Sequence, residues 1–242
     1  MLMPLDQFLI IIVYIVPFLY VSMYITNFSI YLFLSNSFFY GLFKYSLKDG
    51  GNLLSNKVKT FCEGIFIMIH VIINQQIGCI GLRLLPLFFY TFIFIWSSNL
   101  VGLLPYSFTS TSQIILTVGI SFSIFLGVVL LGIKEKSVSF FNMFVPSNIP
   151  MVILPFIVVI EVMSYFIRPL SLAMRLFANI MAGHTLLNIL SGFNIGLSCL
   201  GLTIYLLSFL LVTSIMILEF GIAFLQAYVY IVLMNVYTND SI

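Results

Sequence analysis

Apolar residues run through this chain in long stretches, and the charges, prolines and glycine pairs between them cut it into five or six segments. A bilayer core of ~30 Å needs ~20 apolar residues per spanning helix, so each segment can be weighed as a membrane crossing. The first run, about Phe8–Phe43, is too long for one upright span, and Pro17 and the polar Thr26-Asn27 divide it. The pattern predicts a first span over Ile25–Tyr45, with the stretch before it interfacial or folded back. A hydrophilic connection follows, with Lys44, Lys48, Asp49, Gly50, Gly51, Lys57 and Lys59. Val58–Ile77 is then apolar again but studded with Glu63, His70, Asn74, Gln75 and Gln76. That mixture predicts an amphipathic helix at the membrane surface rather than a span. Further spans fall at Leu84–Leu103, ended by Pro105, and at Gln113–Ile133, closed by Lys134-Glu135-Lys136.

After a loop over Phe140–Pro150 come two long helical stretches, Met151–Leu190 and Leu197–Val236, joined by the uncharged Ser191-Gly192-Phe193-Asn194. At ~1.5 Å per residue each reaches ~60 Å, about twice the bilayer core, so they must be strongly tilted, kinked or nearly horizontal. Pro169 offers one kink. The chain thus divides into an N-terminal segment with the first span (1–52), the surface helix (53–78), two spans (84–133) and a long helix hairpin (147–242), all within one polytopic membrane domain. The fold class is all-α integral membrane. Loops containing Lys44–Lys59 and Lys134–Lys136 lie on one side, while Tyr106–Ser112 and Ser191–Asn194 carry no charge. By the positive-inside rule the first group faces the cytoplasm or matrix, which puts the N-terminus outside and Asp240 inside.

Composition narrows the class. Of 242 residues, 62% are hydrophobic and 7% charged, which excludes an ordinary water-soluble globule. A net charge of +2 is too small and dispersed for a nucleic-acid binder. His70 and His184 are the two histidines, too few for a bis-histidine two-haem cytochrome, so redox cofactors are not expected. Cys62, Cys79 and Cys199 form no C-x-x-C pair and read as small core or lipid-facing residues. The Met1–Gln7 start carries Asp6 and no positive charge, unlike a signal or transit peptide. No G-x-x-x-x-G-K-[ST] loop occurs, so nucleotide chemistry would belong to partners. Alanine occurs at Ala173, Ala178, Ala182, Ala223 and Ala227, within two C-terminal stretches, where small residues let helix backbones approach. Scarce alanine beside 26 phenylalanines fits coding drift in an AT-rich genome such as an organelle's.

The residues that cannot be there for solubility lie in the two long stretches: Glu161, Arg168, Arg175, His184 and Glu219, with Asn179 and Gln226. Each ionised side chain costs ~2.5–3.5 kcal/mol at a helix centre on the insertion scale. Glu161, Arg168 and Arg175 are seven residues apart, and Asn179 follows by four, so the four share a ~40° stripe of one helix. Glu219, Ala223, Gln226 and Tyr230 form a comparable stripe in the last stretch. His184 points ~140° away from Glu161 and looks at a different neighbour. Glu161 pairing with Arg168 as a helix clamp is as good a reading as a functional one, although two turns separate them. Arg175 has no acid three or four residues away, so its partner must come from elsewhere. Asn179 and Gln226 serve equally as interhelical glue.

The run Arg168-Pro169-Leu170-Ser171-Leu172-Ala173-Met174-Arg175-Leu176-Phe177-Ala178-Asn179-Ile180-Met181-Ala182-Gly183-His184 closely resembles the a subunits of F-type ATP synthases in their mitochondrial form. Asn99-Leu100-Val101-Gly102-Leu103-Leu104-Pro105-Tyr106-Ser107-Phe108-Thr109 supports the resemblance. So do Leu218-Glu219-Phe220-Gly221, with Gln226 seven residues after the acid, and the opening Pro4-Leu5-Asp6-Gln7-Phe8. It implies upright helices, a surface amphipathic helix and two long membrane-parallel helices embracing a rotating ring of hairpin subunits. The family's essential arginine falls on Arg175 and its access-channel pair on His184 and Glu219. Its exit-side acids fall on Glu161 and Asp240, and rotor-facing polar positions on Asn179 and Gln226, with Arg168 supporting.

The same resemblance implies partners: the proteolipid ring, peripheral-stalk and other membrane-sector subunits, a soluble ATPase head, membrane lipids and a second complex in a dimer, but no nucleic acid. It implies no metal and no cofactor beyond transported protons and bound lipid, and a mitochondrial inner-membrane location with the N-terminus in the intermembrane space and the C-terminus in the matrix. The chain is then no enzyme by itself. A stand-alone transporter would instead show inverted repeats, and none is visible; an inert respiratory-complex subunit would leave the Arg175 stripe unexplained.

Overall fold

The computed structural model describes residues 8–18, 21–48, 57–104, 107–145, 153–197 and 202–241. The expected features at 1–7, in the connection 49–56, at Pro105-Tyr106, at 146–150 of the loop before the long helices, and at Cys199 lie outside them; the described part of that loop, from Phe140, is not open loop but belongs to a 3-10 helix, Ser137–Phe144. Six helices follow a short hairpin. β1 is Ile12–Phe18, β2 Val21–Thr26, α1 Asn27–Lys48, α2 Lys57–Gln76, α3 Leu85–Gly102, α4 Ile114–Lys136, α5 Leu154–Leu197 and α6 Leu202–Ser241. Among the described residues five helical stretches are long and apolar enough to cross a membrane; α2, expected at the surface, is one of them, and α1, expected as the first span, is not. Large side chains such as Phe33, Ile115 and Ile217 stand exposed on the outside, as lipid-facing surface requires.

The stretch before the first helix does fold back, but as strands. β1 and β2 pair antiparallel from Ile12 with Thr26 to Phe18 with Val21, and Pro17 faces Ser22. Ile, Val and Tyr crowd this stretch and favour the pleated backbone, and Pro17 would cost a helix interior ~3 kcal/mol. The hydrophobic run hid that preference. Asn27 closes the turn into α1: its backbone N–H donates to the Ile11 carbonyl at 3.0 Å.

The core gathers where α2, α3, α5 and α6 meet. Ile65, Ile69 and Ile73 of α2 pack on Phe88, Phe92, Ile95 and Trp96 of α3, with Leu172, Leu176, Ala227, Tyr230, Ile231 and Met234 from the long helices. The isoleucines of α2 recur every four residues, which puts them on one helical face. The outward face of α2 mixes exposed Lys57, Thr60, Glu63, Asn74 and Gln75 with exposed Phe66, Ile67 and Val71. A second cluster of Phe125, Phe140 and Tyr165 ties α4 to α5.

α3 ends against its own following segment. The Ser107 hydroxyl donates to the carbonyls of Val101 at 2.9 Å and Gly102 at 2.8 Å. That satisfies helix-end groups that lipid could not. Gly102 is required there, because a Cβ would stand 2.7 Å from Thr109 Cγ2. Thr111 Oγ1 donates to Asn99 Oδ1 at 2.9 Å, pinning the same turn.

α5 has 44 residues and α6 has 40, about 66 and 60 Å at ~1.5 Å per residue. Pro169 lies inside α5, which continues on both sides. The expected loop Ser191–Asn194 is instead the last part of α5. It contains no proline or charge, and with no water to take up freed backbone groups, a helix keeps going. The connection to α6 therefore falls at 198–201, outside the described residues.

Candidate functional site

The two long helices lie antiparallel, and their polar side chains meet at successive levels. At one end the Arg168 guanidinium of α5 donates to Asp240 Oδ2 of α6 at 3.2 Å. Further along, Asn179 Nδ2 donates to Gln226 Oε1 at 3.0 Å. Next comes Gly183 against Glu219, and at the far end the Ser208 hydroxyl donates to Asn194 Oδ1 at 2.5 Å.

Arg168 does not pair with Glu161, although the seven-residue spacing left that open; two turns of straight helix keep them apart, and Asp240 from the facing helix is nearer. The guanidinium also lies over the rings of Tyr165 at 6.0 Å and Tyr237 at 5.8 Å. Glu161 is half-buried about two turns into α5, and among the described residues it makes no salt bridge.

Arg175 occupies the stretch between these levels. Its side chain is exposed on α5 and, among the described residues, has neither ion pair nor hydrogen bond. A guanidinium fork so placed can bind a carboxylate from outside the chain. The spacing from Arg175 back to Arg168 is ~10 Å and forward to His184 ~13 Å along the helix.

His184 and Glu219, on separate helices, border one cavity of about 330 Å³, lined also by Leu103, Asn179, Ile180, Ala182, Gly183, Leu186, Ile215, Leu218 and Ile222. At ~30 Å³ per water it has room for several. Both residues are buried, at 7% exposure each. Among the described residues neither carboxyl oxygen of Glu219 has a hydrogen-bond partner. Leaving a buried polar group unpaired costs ~1–3 kcal/mol, so a carboxyl opening on a hydratable cavity is suited to exchanging protons with water inside it.

The sequence stripes translate differently in the two helices. Glu219, Ala223, Gln226 and Tyr230 all turn inward, at 7%, 0%, 5% and 0% exposure. On α5, Arg175 and Asn179 turn outward. Of the stripe on α6, Glu219 borders the cavity; of that on α5, Asn179 borders it too while bonding Gln226, and Arg175 stands exposed. Gly183 leaves room for the Glu219 carboxyl: a Cβ there would collide with Glu219 Oε1. Sequence reasoning noted Gly183 as a small residue and missed Leu103 and Phe8. The Phe8 ring meets His184 edge-on, and its only signal was its place in the Pro4–Phe8 opening. No group of three or more His, Cys, Asp or Glu able to hold a metal occurs among the described residues.

The chain is similar to known proteins over nearly its whole length. The family described as "ATP synthase A chain" matches residues 23–239. A protein of Marchantia polymorpha named "ATP synthase subunit a" is 40% identical over 247 residues, covering 99% of this chain and 97% of its own. Proteins of the same name from Acanthamoeba castellanii and Bartonella bacilliformis are 42% and 37% identical, covering 98% and 88% of this chain and 96% and 81% of their own.

Proposed function

This chain belongs to the ATP synthase A chain family, and from that footing we propose that it is the proton-conducting stator subunit of a mitochondrial F-type ATP synthase. It offers two aqueous half-channels, separated by Arg175, to a ring of small proteolipids whose carboxyls carry protons around. The subunit itself binds no nucleotide; ATP is made in the soluble head that the ring drives.

The observation that carries this reading is the order of groups along the hairpin: Glu161 and the Arg168–Asp240 pair on one side of Arg175, the His184–Glu219 cavity on the other. A rotor carboxyl crossing lipid must be neutral, since its anion in hydrocarbon is prohibitively costly. Beside an unpaired guanidinium the same carboxyl ionises. Arginine suits the position because it keeps its charge where a buried lysine would lose it, so it does not hand the proton on. Protons therefore enter by His184 and Glu219 from the intermembrane space, ride the ring, and leave past Glu161 and Asp240 to the matrix. Each charge moved through 100 mV is worth ~2.3 kcal/mol, the source of torque. Asn179 and Gln226 line the rotor-facing seam. The N-terminus lies in the intermembrane space and the C-terminus in the matrix, with peripheral-stalk subunits, lipids and a second complex as neighbours.

Purification tests the reading. Co-migration of the chain with a proteolipid ring and a soluble ATPase, and ATP-driven acidification of vesicles containing that assembly, are expected. Migration of the chain alone, with autonomous solute uptake into liposomes, would overturn it in favour of a transporter.

A further inference from the structure

Leu9, Ile10 and Ile11 stand exposed at 59%, 53% and 60%, yet the ring just before them, Phe8, is buried at 8%. It is buried on His184: the rings meet edge-on, with centroids 6.4 Å apart and planes at 72°. The backbone of Phe8 is tethered as well, since Gln113 Nε2, immediately before α4, donates to its carbonyl at 2.8 Å. Beyond it the Asn27 side chain takes the Ile11 N–H at 3.1 Å and donates to the Leu9 carbonyl at 2.9 Å. Two side-chain amides, from different helices, thus hold this short segment so that one aromatic ring lies against the imidazole.

His184 has need of such a neighbour. Among the described residues no hydrogen bond fixes its imidazole, and the one titratable group bordering the same cavity is Glu219, from α6. An imidazole that exchanges protons must present a nitrogen in a definite direction, and here packing alone sets that direction. We infer that Phe8, tethered through Gln113, is a positioning residue for proton transfer at His184, its ring holding the imidazole toward the cavity shared with Glu219. The inference rests on the reading of His184 as part of the access path. It also gives a task to the Pro4–Phe8 opening that the rotor mechanism leaves unused.

The test uses the assembled complex in proteoliposomes, with proton flux driven by an imposed potential. Phe8→Met keeps the volume and removes the ring; flux is expected to fall about three- to tenfold, the range a ring contact of this kind is worth. Phe8→Tyr keeps the ring and is expected to restore flux to within about twofold. On a His184→Gln background, Phe8→Met should cause no further loss, because the group it positions is gone. Wild-type flux in Phe8→Met, or a loss that multiplies with that of His184→Gln, would overturn the inference. Should Phe8→Met not assemble, Gln113→Ala releases only the tether and is read by the same criteria. Unchanged flux in His184→Gln alone would bring down the access path itself, an outcome separate from failure of the Phe8 coupling.

Discussion

Glu219 reaches across from α6 to lie on Gly183 of α5, its carboxyl filling the space a Cβ would need. Contact this close means that any side chain at position 183 must move the carboxyl. Gly183→Ala should strengthen α5 itself, since alanine is better than glycine in a helix interior by ~0.5–1 kcal/mol. The new methyl must nonetheless displace the Glu219 carboxyl, which has a flexible stem and can move. The expected outcome is an assembled complex of normal thermal stability whose proton flux is down by on the order of tenfold, a shift of ~1.4 kcal/mol. Loss of assembly with flux per complex unchanged would show that the contact serves packing alone.

Asn179 and Gln226 hold the next level of the hairpin, and Gln226 is 5% exposed. Asn179→Leu removes the donor and leaves the Gln226 carbonyl buried without it, at a cost of ~1–3 kcal/mol. The double variant with Gln226→Leu removes both partners and should recover part of that loss. Thermal unfolding of the detergent-solubilised complex measures both; a double variant less stable than the sum of the singles would contradict this account.

The Arg168–Asp240 pair looks strong at 3.2 Å, but its side chains are 37% and 40% exposed. Solvent screening limits such a pair to ~0–1 kcal/mol. Asp240→Asn should therefore lower stability little. Arg168→Ala should cost more than Asp240→Asn, because the guanidinium also covers Tyr165 and Tyr237. Equal melting shifts in the two variants would mean that the ring contacts contribute nothing.

Much of this was legible in the residues. The spans at α3 and α4 follow from run length and from the charges of Lys134-Glu135-Lys136, and the overlong last two helices from the distance between breakers. His184 and Glu219 were drawn together by motif, and they share a cavity. What escaped depends on the third dimension. The hairpin before α1 was masked because an apolar run reads the same as strand or helix until pairing decides. The helical state of Ser191–Asn194 was missed because uncharged loop formers continue a helix when no water competes. Arg168 met Asp240, 72 residues away, rather than Glu161. Phe8 and His184 are 176 residues apart in the sequence, and no periodicity links them.

Among the described residues Arg175 has no partner, and it stands exposed between two polar clusters; the central claim is that it keeps their protons apart while ionising the rotor carboxyl. The most direct measurement is ATP-driven proton pumping by the assembled complex carrying Arg175→Ala. The account predicts a complex that purifies intact and pumps no protons. Pumping at the wild-type rate would contradict it.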